Sequence, residues 1–167
     1  ESGLGGWTGH ADDLPVGSVW AVGVASGEAA EGEAAARLSV SILEPRGRVW
    51  MARPFDVTAD QSYEVTVSFA LGTADGATTT AWDVLGGGGA TEPDPGSLTT
   101  HGSTTPESPG SGLVWEERSF TFQATAGPAV GEDETGRIWV ALGIAPTTAD
   151  DREYGIDDVR LSFLRSR

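Results

Sequence analysis

The stretch SYEVTVSFAL, residues 62–71, alternates Tyr63, Val65, Val67, Phe69 and Leu71 with Glu64, Thr66, Ser68 and Ala70. A period of two cannot make an apolar stripe on a helix; it makes a strand with one face in a core. The same signature recurs along the chain. SVWAVGVAS (18–26) is a short apolar strand, and AARLSVSIL (35–43) alternates Leu38, Val40 and Ile42 with Arg37, Ser39 and Ser41. RVWMARPFDVT (48–58) is a strand broken near Pro54, and TTTAWDVL (78–85) has strand composition. WEERSFTFQAT (115–125), RIWVALGI (137–144) and YGIDDVRLSFL (154–164) complete the set. With a short piece near Trp7 the chain offers eight or nine strands, separated by turn residues such as Pro45-Arg46-Gly47 and Gly127-Pro128.

Helix has one weak candidate. GEAAEGEAAAR (27–37) is rich in Ala and Glu, but Gly32 interrupts it and it is too short to stand alone. It reads as a loop with at most one turn. Residues 86–112 are dense in Gly, Pro, Ser and Thr and supply no core. They read as one long loop, of a length usual for binding loops or disordered segments. The strands after it must pair with those before it. The expectation is therefore an all-β, two-sheet antiparallel sandwich spanning residues 1–167 as one domain.

Composition excludes several functions. Acidic residues number 25 against 10 basic ones, for a formal charge of −15, and every basic residue is Arg. A phosphate backbone needs a basic footprint, so nucleic acid is not the expected partner. The absence of Cys removes disulfides and thiolate chemistry. No apolar run reaches the ~18 residues of a membrane span. The start, ESGLGGW, is abrupt, as if a leader or upstream domain had been trimmed. Export is compatible with all of this.

An ordered series of motifs carries a resemblance. Glu1, Gly3, Gly6 and Trp7 open the chain. GEAAARLSV (32–40), VTADQSYEVTVS (57–68), the trio Trp115, Phe120 and Phe122, RIWVALG (137–143) and YGIDDVRL (154–161) follow. Across nearly the whole chain this resembles the galactose-binding-like jelly rolls found as carbohydrate-binding modules beside bacterial xylanases and cellulases. The resemblance implies a secreted or cell-surface setting, a poly- or oligosaccharide partner, and other domains in a larger parent chain. It also implies a structural calcium where the first and last strands meet. Asp157 and Glu1 occupy the positions of two of its ligands.

The residues themselves leave Asp157 open. If Val159, Leu161 and Phe163 face the core, strand parity turns Asp157 inward too, and an inward carboxylate needs a partner. Calcium, which takes six to eight oxygens, is one answer. Backbone N–H groups or an Arg are the other. Tryptophan offers a second site. Trp7, Trp20 and Trp115 read as core or edge-packing residues. Trp139 lies opposite Ile138, Val140, Leu142 and Ile144, Trp50 opposite Val49 and Met51, and Trp82 between Ala81 and Asp83. Such rings point away from the core, and flat rings with polar neighbours grip sugars. Arg48, Glu64 and Arg137 are their neighbours by parity. The competing reading is that the 86–112 loop folds back over these rings.

Catalysis has little support. His10 and His101 lie in loops of small and polar residues, without the positioned orienting acid that a triad needs. Two functions remain. One is a non-catalytic carbohydrate-binding module; the other is a structural or adhesion jelly roll that binds no sugar.

Overall fold

The computed structural model describes residues 4–74, 81–104, 112–129 and 134–166. Ten strands run through them: β1 (Thr8–Asp12), β2 (Val19–Ser26), β3 (Ala34–Ser41), β4 (Arg48–Thr58), β5 (Ser62–Ala74), β6 (Asp83–Gly89), β7 (Thr99–Ser103), β8 (Leu113–Thr125), β9 (Thr135–Ala145) and β10 (Asp151–Arg165). They form two five-stranded antiparallel sheets, ordered β1-β4-β9-β6-β7 and β2-β3-β10-β5-β8. The all-β jelly-roll sandwich expected from the alternation is what the chain builds.

The alternating positions supply the core between the sheets. Val65, Val67, Phe69 and Leu71 from β5 meet Ile138, Val140, Leu142 and Ile144 from β9, all buried. Burying side chains of this size stabilises by roughly 1.5–3 kcal/mol each before the entropy of ordering the chain is counted.

Two local readings change, while the loop expected over the Ala/Glu segment holds. The Ala/Glu segment is not helical: Gly27 and Gly32 take positive φ, Gly27 N–H bonds to the Glu33 carbonyl at 2.9 Å, and β3 begins at Ala34. Pro54 does not break β4. Strand β1 starts at Thr8, opposite Ala52, so at Pro54 β4 has β9 as its only pairing neighbour and tolerates a residue without N–H. The span 86–112 is not one loop. Gly86–Gly89 belong to β6, Pro95–Ser97 form a 3-10 turn capped by Asp94, and β7 follows. This edge strand is the tenth, absent from the sequence reading.

His101 sits on β7 and stacks on Phe120, ring centroids 4.2 Å apart. Burial pushes its pKa below the ordinary value, against the upward pull of a hydrogen bond with the Gly86 backbone. It is a packing residue in its neutral form.

Candidate functional site

The closing strand contains an irregularity that decides where Asp157 lies. Asp157 pairs with Ala70, but Arg160 pairs with Ser68, so Asp158 and Val159 together oppose Phe69. Asp158 takes φ 49° to accommodate the extra residue. This is a β-bulge, and it reverses parity along β10. Tyr154 and Ile156 face the core before it; Val159, Leu161 and Phe163 pack against the core after it. Asp157 therefore lies on the outer face, not the inner one that uninterrupted alternation requires. The Glu31 backbone N–H donates to its Oδ2 at 2.9 Å. Asp158 is held by Arg160, which also lies 3.8 Å from Glu31. Asp157 lines a cavity of about 300 Å³ with Leu4 and Trp7, which brings the start of the chain beside the last strand. Glu1 falls outside the described residues. Among the described residues no cluster of three or more His, Asp or Glu side chains is arranged to hold a metal.

The six residues expected to grip sugar are not gathered in one place. Trp139, Trp50, Arg137 and Arg48 share the outer face of the β1-β4-β9-β6-β7 sheet, as strand parity requires. Trp50 is only 4% exposed there. Residues 90–98 cross this face: Leu98 is buried against Trp50, Ala52, Leu85 and Ala141, while Glu92 reaches His10 at 3.0 Å. His10 in turn stacks on Trp50 at 5.4 Å. Trp139 is half-buried at the margin of the same cluster. Part of the 86–112 segment thus folds back over Trp50, as the competing reading held. Arg137 is exposed and pairs with Asp56 at 3.3 Å. Arg48 lines a separate cavity with Asp12, Asp13 and Pro95.

Trp82 and Glu64 lie elsewhere. Trp82 is fully buried between the sheets. It immediately precedes β6 and is in phase with Val84, which also faces the core, so alternation turns its ring inward rather than outward. Its Nε1 donates to Thr148 Oγ1 at 3.1 Å, its ring lies against Tyr154, and the Arg152 guanidinium sits 5.4 Å above it. Glu64 is on the outer face of the other sheet, accepting from Gln123 Nε2 at 3.1 Å.

That other face carries a second half-buried tryptophan ring. Trp115 on β8 pairs with Gly72 on β5. A Cβ built on Gly72 would meet three atoms of the six-membered ring at 2.9, 2.9 and 3.0 Å, and one built on Gly155 would meet its far edge at 2.5 Å. Near-equal distances to three ring atoms put Gly72 beneath the ring's face. The indole lies flat across β5 and β10 on a glycine floor, half-buried. Beside it opens a cavity of about 260 Å³ lined by Ala30, Glu31, Ala70, Trp115, Glu116, Glu117 and Asp158. A flat polar ladder continues along β5 and β8. Ser68 bonds Ser119 at 3.3 Å and Thr66 bonds Thr121 at 3.1 Å. The sequence reading placed Trp115 among the packing residues. The signal was its parity: Trp115 is opposite in phase to Phe120, which faces the core.

Neither a protein-family model nor a curated protein matches the chain. Solved structures do. A family 61 carbohydrate-binding module in complex with β-1,4-galactotriose superposes with a TM-score of 0.53 at 16% identity, covering 99% of this chain and 92% of that one. The CBM22-1 xylan-binding domain from Paenibacillus barcinonensis Xyn10C gives 0.51 at 13% identity over 100% and 91%. The chain shares the jelly-roll fold of these carbohydrate-binding modules. The K2 cleaved adhesin domain of Lys-gingipain shares it as well, with a TM-score of 0.56 at 17% identity over 94% and 88%. No helix among the described residues is long and apolar enough to cross a membrane.

Proposed function

We propose that this chain is a non-catalytic carbohydrate-binding module of a secreted or cell-surface protein, binding poly- or oligosaccharide at Trp115. The observation that carries the reading is the Trp115 ring. It lies flat on Gly72 and Gly155 with its other face turned from the sheet, beside a cavity edged by carboxylates. An aromatic face stacks on the C–H face of a sugar while carboxylates accept its hydroxyl hydrogens. Both histidines serve as packing groups, His10 on Trp50 and His101 on Phe120, which favours binding over catalysis.

Trp115→Ala should abolish retention of the protein in native gels containing β-1,4-galactan or xylan. Its melting temperature should fall by only a few degrees, because a ring on the surface leaves no core cavity. Retention that survives the substitution moves the contact elsewhere, and Trp139→Ala then tests the margin of the covered face. A wild-type chain that binds no glycan favours the second reading, a structural or adhesion domain, to which the likeness to an adhesin domain lends weight.

Calcium belongs to the same proposal. Asp157 has a second oxygen, Oδ1, with no hydrogen-bond partner among the described residues, and it lies beside the start of the chain. With Glu1 and nearby carbonyls it would bind calcium and tie the first residues to β10. A ligand bound only to the folded state stabilises by mass action. A chelator should therefore lower the melting temperature of the wild type and leave that of Asp157→Ala unchanged. A wild type indifferent to chelator and to added calcium would mean that Asp157 is held by the Glu31 N–H alone.

A further inference from the structure

We infer that the Trp115 site selects uncharged glycans and rejects uronic-acid polymers; the inference rests on the sugar-binding reading above and adds the class of ligand.

The argument begins with the shape of the site. A ring seated on glycine backbone, with short hydroxyl side chains continuing along β5 and β8, makes an open strip rather than a closed pocket. From Gly72 to Glu64 this strip runs along nine residues of β5, roughly 27 Å for the eight steps at ~3.4 Å each. Among the described residues nothing on it encloses a chain end, so an extended polymer fits it, and the sugar stacked on the ring meets the carboxylates gathered there.

Those surroundings are net negative, because the carboxylates outnumber the cations they pair with. Glu31, Glu116, Glu117 and Asp158 line the cavity beside the ring. Each cation nearby is already matched by carboxylates of the protein. Arg160 is held by Asp158 and lies near Glu31. Arg37 is clamped between Glu28 at 2.7 Å and Glu153 at 3.0 Å. Arg118 is bound to Glu116 at 2.6 Å and to the Ser103 carbonyl at 3.0 Å.

Hydrogen-bond chemistry points the same way. Ionised carboxylates only accept, so they suit the hydroxyl donors of a neutral sugar. A uronate carboxylate also only accepts. Set against Glu117 or Asp158 it gains no bond and meets a like charge, which is the usual device for refusing a near-identical ligand. The formal charge of −15 adds a repulsion of longer range, but salt screens that part beyond about 8 Å at physiological ionic strength. The local carboxylates act within that distance.

The experiment compares retention in native gels containing β-1,4-galactan with retention in gels containing polygalacturonate, each scaled to mobility without polymer. The wild type should bind galactan at least about tenfold more tightly. In Glu31→Gln/Glu117→Gln the ratio of polygalacturonate to galactan affinity should rise about tenfold. In Glu44→Gln/Asp60→Asn, which removes the same charge far from the ring, the ratio should stay at the wild-type value. Equal retention of both polymers by the wild type, lost in both cases in Trp115→Ala, overturns the selection while leaving the sugar reading intact. So does a ratio that moves equally in the two double variants, since net charge would then be the cause. Failure to retain either polymer removes the sugar reading and this inference with it.

Discussion

Trp82→Ala is expected to destabilise the fold by about 3–5 kcal/mol, the range for truncating a buried Trp. The ring is fully buried and packs against Tyr154, which is also fully buried, and beneath the Arg152 guanidinium. Removing it does three things. It opens a cavity between the sheets where they approach β6. It leaves the Thr148 hydroxyl without the indole N–H it accepts. It also takes the aromatic surface from beneath Arg152, whose side chain is 2% exposed and is paired to Asp150 at 3.2 Å. For a chain of this size a loss of that order lowers the melting temperature by about 10 °C or more. Urea unfolding followed by far-ultraviolet circular dichroism measures it directly. A loss below about 1 kcal/mol would mean that Trp82 is not packed between the sheets. The contrast with Trp115→Ala matters, because two tryptophans of one chain then separate into one that holds the fold and one that holds a ligand.

The sequence made the strands legible wherever side chains alternate. β5 and β9 carry four or five aliphatic or aromatic residues in phase, and their faces follow from those residues alone. The same logic failed where a single residue breaks the phase. The bulge at Asp158 inserts one position into β10, so a parity fixed on Val159, Leu161 and Phe163 gives the wrong face for Asp157. Nothing in IDDVRL announces the insertion except an Asp able to take a positive φ. Trp82 failed for a different reason: it shares the phase of Val84, which faces the core, and so points inward with it.

The candidate site was legible only in part. That tryptophan on an outer face marks the interesting surface followed from parity. Which sheet stays open did not, because Trp50 is covered by Leu98 and by His10, which Glu92 holds in place, and residues 92 and 98 come from a segment with no periodicity. Trp115 needed its cross-strand partners. The ring lies flat only because Gly72 and Gly155 stand beneath it, and a glycine's role as a floor emerges once strand pairing is known.

The glycine run in β6 provides the second large expected effect, and it comes as a pair of opposite outcomes. Gly88→Ala should destabilise by about 3 kcal/mol, the upper end of overpacking costs. Gly89→Ala, one residue later, should be neutral or stabilise by up to about 1 kcal/mol. Gly86 and Gly88 lie on the inner face of β6, in phase with Val84. There the rings of Phe120 and Phe122 from the opposite sheet pack directly onto the backbone. A Cβ on Gly86 would lie 2.3 Å from the Phe120 ring. On Gly88 it would lie 1.9 Å from the Trp139 carbonyl oxygen and 2.8 Å from the Phe122 ring. The first obstacle at Gly88 is backbone, so no rotamer change relieves it; β6 and β9 would have to part where they pair at Gly88 and Val140. Gly89 points outward into open space and takes no positive φ, so its added methyl meets nothing and mainly restricts the unfolded chain. Urea midpoints of the two variants, measured side by side, test the arrangement. If Gly88→Ala were as stable as Gly89→Ala, β9 would not lie so close to β6 at Gly88, nor the Phe122 ring of the opposite sheet pack onto its backbone. The run of four glycines would then be the flexible loop that its composition suggests, rather than the thin strand that lets the sandwich close.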